Sequence, residues 1–470
     1  MNDALHANPF LARGYAPQRT EFDCPDLRIE GRWPAGLAGS FYRIGPNPQF
    51  EPRPPYSPLM GDGMVHAFHV RSGRVAYRNR WVRTGRWLRE NAAGRALFAT
   101  SGMPTDDDPE AGPRPADGVA NTSLVWHGGR LLALEEGAGP VELDPDTLDT
   151  LGPWTFEGQL PRNMTAHPKV DPRTGAMLFF ANIPRGRLTG ELALYEADAA
   201  GAITAARVVQ GPYPALVHDF AITEWFVVLG VFPVTLSLER AQRGQPVIAF
   251  EPDRASEMLV MPRDGEPGDV RRFAGPPCMS WHVLNAFEDG DRIVIDLCEQ
   301  DVAMFPTPDG APPDAARAAQ RLVRWEMDWS RPAPVQRRRL SDLVCEYPRI
   351  DERRTGLPHR YGYVACCGGP GTDDIFHRGL ARIDLVTGEA AVWPGEPGVA
   401  AAEPVFVPSA PDAPEGHGWL LANLYDEPAD ASCLAAFDAG DVAAGPVARA
   451  WLDHRVPVGF HAIWRGLSGR

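Results

Sequence analysis

Thr165-Ala-His-Pro-Lys-Val-Asp-Pro-Arg-Thr-Gly-Ala-Met-Leu-Phe-Phe-Ala181 carries the pattern that recurs through this chain: a histidine, a turn, then a short run of strand formers. In Asp171-Pro-Arg-Thr-Gly175 the proline presets φ, the aspartate can cap its own turn, and the glycine takes a positive φ without penalty. The Ala176–Ala181 run that follows is too short for a stable helix and rich in apolar and aromatic residues, so it reads as a strand. Similar runs are Gly129–Glu135, Trp225–Leu229 and Arg292–Leu297, and similar turns are Asp144-Pro-Asp-Thr147 and Asp384-Leu-Val-Thr-Gly388. Turn chemistry between extended runs predicts antiparallel hairpins. Forty-seven glycines and 48 prolines in 470 residues punctuate the sequence from end to end. Helical periodicity is confined to Val82–Phe98 and Asp314–Gln320, both read as insertions over a β scaffold.

Many short strands at near-regular spacing point to a radially repeated all-β architecture, and propeller blades of about 40–50 residues fit the length best. The expectation is a single domain spanning residues 1–470, a seven-bladed β-propeller with loop and short-helix insertions capping the active-site face. No strict repeat signature marks the blades.

The balance of 46 Lys+Arg against 61 Asp+Glu gives a formal net charge of −15, which argues against nucleic-acid binding. The seven cysteines are odd in number and include no CxxC, and the neighbours Cys366 and Cys367 suit a disulfide poorly. Reduced thiols, no basic-then-apolar leader at the N-terminus and no long apolar segment predict a cytoplasmic, soluble protein. Val228–Leu238 could contribute to peripheral membrane contact, but a buried strand pair is the better reading of it. The oligomeric state is not legible.

Four of the 12 histidines stand in separate strand-like contexts: His167 in Thr-Ala-His-Pro-Lys, His218 in Leu-Val-His-Asp-Phe, His282 in Ser-Trp-His-Val-Leu-Asn, and His461 in Gly-Phe-His-Ala-Ile-Trp. Neutral imidazole is a common ligand of transition metals, and four of them leave a divalent ion its full charge. The first two spacings, 51 and 64 residues, are blade-like, so such ligands could converge on a central axis. Any one of these histidines, read alone, is as well explained as a packed core residue. His66 and His69, three apart on a strand, face opposite sides and read as structural. His6, His127, His377, His417 and His454 sit in polar or turn-rich stretches. The sequence has no His-x-Asp/Glu pair, no His-Glu-x-x-His, no phosphate-binding loop and no Gly-x-Ser-x-Gly elbow. Gly368-Gly-Pro-Gly371 reads as a turn.

With these contexts in view, the chain resembles the carotenoid cleavage oxygenase family, which includes stilbene- and phenylpropenoid-cleaving enzymes. The resemblance runs through Gly39-Ser-Phe-Tyr-Arg-Ile-Gly-Pro-Asn-Pro48, Gly61-Asp-Gly-Met-Val-His-Ala-Phe68 and Ala120-Asn-Thr-Ser-Leu-Val-Trp126. It continues through the four histidine segments and Glu403-Pro-Val-Phe-Val-Pro408. It implies one Fe(II) per chain held by His167, His218, His282 and His461, with Glu136, Glu346 and Glu403 accepting the outer N–H of three rings. Thr122 matches a position whose methyl crowds an open iron position, and His359 a position beside the site without a ligand role. The implied reaction is cleavage of a carbon–carbon double bond by O₂ to two carbonyl products, with no side-chain nucleophile.

The implied substrate is a lipophilic small molecule in a hydrophobic tunnel. Stilbene- and isoeugenol-type members grip a 4-hydroxyl with a tyrosine and a lysine, and the matching positions here are Ser101 and Glu135. That departure favours an apocarotenoid-like polyene, with a stilbene or phenylpropenoid as the alternative. An alternative from another class is a ligand-binding or Ca²⁺-dependent hydrolytic propeller, which would place aspartates on the axis.

Overall fold

In a computed structural model of the chain, residues 8–467 are described apart from 101–105, 187, 332, 370, 371 and 373. The opening stretch folds as read. Lys169–Val170 pairs antiparallel with Met177–Ala181, and the connecting turn closes when Gly175 N donates to Asp171 O at 2.8 Å. Gly175 adopts φ +72° at that turn, and Asp171 Oδ1 accepts from Arg173 N at 2.9 Å. These are the roles the aspartate and glycine were assigned from sequence.

Antiparallel sheets of this kind repeat seven times, giving a seven-bladed propeller. In chain order, the edge strand facing the axis is Ser123–His127 in the second blade, Lys169–Val170 in the third and Phe220–Ile222 in the fourth. Met279–Asp289 plays that part in the fifth blade. The long strand Gln336–Arg349 ends the fifth blade and begins the sixth, and Val405–Pro408 lies on the axis side of the seventh. The ring closes from both ends of the chain. Ala462–Gly466 pairs with Gly39–Pro46 in the first blade, while Arg28–Gly31 pairs with Pro446–Trp451 in the last.

Apolar packing lies largely between neighbouring blades. Phe41, Phe68 and Tyr77 of the first blade share a core with Val405, Leu421 and Leu434 of the seventh. Phe273 and Trp325 join the fourth blade to the fifth. Every blade therefore needs its neighbour to bury its face. One glycine contact bears directly on the axis: a Cβ on Gly45 would lie 2.4 Å from Gly459 Cα. The bare backbones let Ile44 exchange hydrogen bonds with Phe460 N and His461 O, each at 3.0 Å, which fixes the segment bearing His461.

The insertions differ in detail from the sequence reading. Val82–Phe98 contains a helix over Gly85–Ala93, capped by Thr84 Oγ1 and ended by Gly94 in the left-handed region. Asp314–Gln320 forms only the single 3-10 turn Ala315–Arg317. A short helix over Leu238–Gln242, capped by Ser237, was not anticipated. Val228–Leu238 follows the buried-strand reading. Its strands Phe226–Val231 and Val234–Leu236 belong to different sheets and are buried along most of their length, and only Leu238 at its end is exposed. Among the described residues no helix is long and apolar enough to cross a membrane.

Candidate metal centre

Each blade delivers a residue to the axis at or just before its axis-facing strand: Thr122, His167, His218, His282, Glu346, Glu403 and His461. Glu136 follows the second strand of the second blade. The four histidines predicted as a set are brought together, with one ring nitrogen of each lying within 4.8 Å of the others. Nε2 of His167 is 3.0 Å from that of His218, His218 is 3.3 Å from His282, and His282 is 3.1 Å from His461.

The outer nitrogens decide what those contacts are. His282 Nδ1 donates to Glu346 Oε2 at 2.6 Å and His461 Nδ1 donates to Glu403 Oε1 at 3.0 Å. His218 Nδ1 meets Glu136 Oε1. A ring that donates through Nδ1 carries a bare lone pair on Nε2. Lone pairs converging at such distances repel unless a cation lies between them, so the donor set fits a transition metal. With metal–nitrogen bonds of about 2.1 Å, ligands at right angles stand roughly 3.0 Å apart, near the observed spacing. The carboxylates stand behind the rings rather than among the converging atoms, unlike the aspartate-lined axis of the Ca²⁺ alternative. His167 has no carboxylate behind it among the described residues, and its backbone N–H donates to Thr165 Oγ1 at 3.1 Å.

The electrostatics follow the same division. Burial pulls His282 down, but the charge and hydrogen bond of Glu346 outweigh it and raise its pKa. For His461 burial wins over Glu403 and the pKa falls. His167 is lowered well below the ordinary imidazole value by burial, reinforced by the three neighbouring rings. Burial opposes ionisation of Glu403, but Arg349 and His461 hold its pKa down to about 2. Arg349 Nη1 lies 3.2 Å from Glu403 Oε2, and Ala462 N donates to the same oxygen at 2.6 Å. Glu403 is thereby fixed at both oxygens.

A mostly apolar cavity of 540 Å³ opens onto His218, His282 and His461. Thr122, Leu216, Ile248, Trp281 and Phe305 contribute to its wall. The Thr122 hydroxyl donates to Asn121 Oδ1 at 2.9 Å, which leaves the methyl as its unengaged end. Glu135 also lines the cavity, and burial raises its pKa to about 7. Ser101, its expected companion, lies outside the described residues. A second cavity of 360 Å³ reaches His167, His282 and His461 past Lys169, Asp219 and Arg349.

The remaining histidines stand outside the four-histidine cluster, and all but one of those described lie outside the wall of the larger cavity. His66 meets the Tyr77 hydroxyl at 2.7 Å, and His69 meets Ser40 Oγ at 2.8 Å. His359, expected beside the site, packs instead against Asn285 and Phe287, outside the lining of either cavity. The exception is His377, read as a residue of a polar stretch but buried in the cavity wall. Arg43, Tyr15 and Tyr347 were also missed. Tyr347 stacks on His282 at 5.5 Å and meets His461 edge-on at 5.6 Å. Its φ of +54° is rare for a bulky residue and lies at the register shift after Glu346, where the strand redirects its side chains.

Comparison with known proteins agrees with this geometry. The family model "RPE65: Retinal pigment epithelial membrane protein" matches residues 15–466. Isoeugenol monooxygenase of Pseudomonas putida is 38% identical over 97% of this chain and 98% of its own length. Apocarotenoid-15,15'-oxygenase of Synechocystis is 30% identical over 96% of this chain and 95% of its own. The crystal structure of Pseudomonas brassicacearum lignostilbene dioxygenase superposes with a TM-score of 0.92 at 35% identity, covering 98% of this chain and 99% of that one. With the propeller, the four-histidine axis and matches along nearly the whole chain, this protein belongs to the RPE65 and carotenoid cleavage oxygenase family and is an alkene-cleaving oxygenase.

Proposed function

We propose that the chain acts as one domain holding a single Fe(II) through His167, His218, His282 and His461, and that it cleaves an aryl-conjugated alkene of the stilbene or phenylpropenoid class with O₂. The observation that carries the iron assignment is the set of bare Nε2 lone pairs, held in that tautomer by Glu136, Glu346 and Glu403. When bound among neutral imidazoles, Fe(II) keeps its divalent charge and supplies the binding and activation of O₂. The balance is one alkene and one O₂ giving two carbonyl compounds, with no external reductant.

The protein's own contribution is placement. The apolar wall at Leu216, Ile248, Trp281 and Phe305 holds the alkene and excludes water, and the Thr122 methyl limits how closely it approaches the axis. The three glutamates orient the rings and hold the outer protons at Nδ1. The higher identity to isoeugenol monooxygenase than to apocarotenoid oxygenase, 38% against 30%, favours the aryl alkene over the polyene first expected. Glu135 in place of the lysine means that a phenolate is not gripped at that position. Seven free cysteines fit a reducing, cytoplasmic location.

The test is an anaerobically iron-loaded protein given isoeugenol, 4-hydroxystilbene or an apocarotenal, then air, with aldehydes identified by mass spectrometry. An aromatic aldehyde from either of the first two supports the proposal. Cleavage of the apocarotenal alone overturns the substrate class. Stoichiometric Ca²⁺ in place of iron overturns the metal.

A further inference from the structure

One part of the axial cavity wall is a connected polar group that the alkene chemistry does not use. Arg43 is 3% exposed, lines this cavity and forms no ion pair with a carboxylate among the described residues. Its Nη1 donates to Asn423 Oδ1 at 3.4 Å and to Pro457 O at 3.2 Å, its Nε has no partner, and Nη2 makes no hydrogen bond among the described residues. Other buried arginines are paired: Arg349 with Glu403 and Glu352, Arg86 with Asp62 and Glu90, and Arg240 with Glu251. A buried cation without a counter-charge is costly, and the usual remedy is an anion.

The neighbours of Arg43 are suited to an anion as well. The Tyr15 and Tyr347 hydroxyls make no hydrogen bond among the described residues, and His377 Nδ1 is buried without a partner. Tyr15 stacks on Phe376 at 5.4 Å and Tyr347 meets His377 edge-on at 5.9 Å. All of them line the cavity that opens onto the histidine cluster. A guanidinium fork that shares one cavity wall with two hydroxyls gives that wall donors matched to a planar oxyanion.

We propose that Arg43, with the hydroxyls of Tyr15 and Tyr347, forms an oxyanion-binding subsite in the axial cavity, and that the molecule held there carries an acidic oxygen, a carboxylate or a phenolate, beside its alkene. The subsite rests on reading this cavity as the alkene site. It also supplies a polar anchor on a different part of the wall from Glu135. Burial lowers the Arg43 pKa and outweighs the opposing influence of Tyr347, Glu403 and Tyr15.

Binding separates the proposal from turnover. Iron-loaded protein under nitrogen is titrated with stilbene-4-carboxylate and its methyl ester, and with 4-hydroxystilbene and its methyl ether, read by quenching of tryptophan fluorescence. The expected result is a preference of about tenfold for an acid over its neutral partner. Preference in the first pair marks a carboxylate and in the second a phenolate. Arg43→Met should abolish the preference while leaving the neutral ligand's affinity unchanged. Where Arg43→Met does not fold, the double variant Tyr15→Phe, Tyr347→Phe decides instead: it should narrow the preference, and a preference it leaves unchanged overturns the subsite. Equal affinities in both wild-type pairs overturn the subsite, as does a preference that survives Arg43→Met, which would place the oxyanion on the iron or another group. Absence of aldehyde on admitting air, with the acid preference intact, overturns the alkene reading alone.

Discussion

Glu346 and Glu403 do different work at what look like equivalent positions. Glu346 raises the pKa of His282, whereas Glu403, drawn towards Arg349, leaves His461 lowered by burial. Both fix a ring so that Nε2 presents its lone pair to the axis. Glu346→Gln and Glu403→Gln should therefore each weaken metal binding about 10- to 100-fold without abolishing it, as measured by competition with a chromophoric chelator. His282→Ala should abolish stoichiometric binding. An unchanged affinity in both glutamine variants would show that these carboxylates do not support the ligands. The histidines and glutamates were legible because each lies in a distinctive local string, such as Ser-Trp-His-Val-Leu-Asn or Cys-Glu-Tyr-Pro-Arg. Arg43, Tyr347 and His377 were not, because a side chain's place in a cavity wall depends on how blades stack. An aromatic or arginine on a strand looks the same in sequence whether it faces a core or a cavity.

Turns and strands were legible for a related reason: their chemistry is local. Asp171-Pro-Arg-Thr-Gly175 announces its hairpin without reference to the rest of the chain, but its energetics reach further. Asp171 is buried and accepts from Arg173 within the turn and from Arg263 Nη1 at 2.6 Å, an arginine following the fourth blade's strand Ser256–Pro262. Burial opposes its ionisation, yet the two arginines hold its pKa down to about 2. A carboxylate depressed in the folded state stabilises above its unfolded pKa, and that contribution is lost as pH falls through the folded value. The window is therefore between about pH 4 and pH 2. Asp171→Asn should cost about 1–2 kcal/mol at pH 7, allowing for solvent screening of the partly exposed Arg173, and should flatten the acid limb of the stability curve in that window. Urea unfolding at pH 7 and at pH 2 measures both. A penalty of equal size at the two pH values would refute the ionic origin. The helices were read less well than the turns. Leu238–Gln242 is too short to show a period, and Asp314–Gln320 has a cap at Asp314 but continues for only one 3-10 turn.

At the scale of the molecule, the chain is closed by strands that sequence spacing alone does not pair. Ala462–Gly466 completes the first blade beside Gly39–Pro46, and Arg28–Gly31 completes the last. Register between segments so distant is set by the whole ring, which is why a repeated β architecture was legible from strand spacing while closure was not. The same closure brings His461 to the axis beside histidines from the third, fourth and fifth blades, so a metal held there links blades that are not all neighbours. Binding to the folded state alone stabilises it by about 4 kcal/mol when free metal exceeds its dissociation constant a thousandfold. For a chain of 470 residues, an unfolding entropy of about 2.1 cal/mol/K per residue turns that into a rise in Tm of roughly 4 °C. Chelation of the loaded protein should lower its calorimetric Tm by about that amount, whereas His461→Ala should show no change on the same treatment. A shift of equal size in His461→Ala would mean that the chelator acts elsewhere. No shift in the wild type would mean that the ring closes just as firmly without the ion, and that strand pairing rather than metal joins its ends.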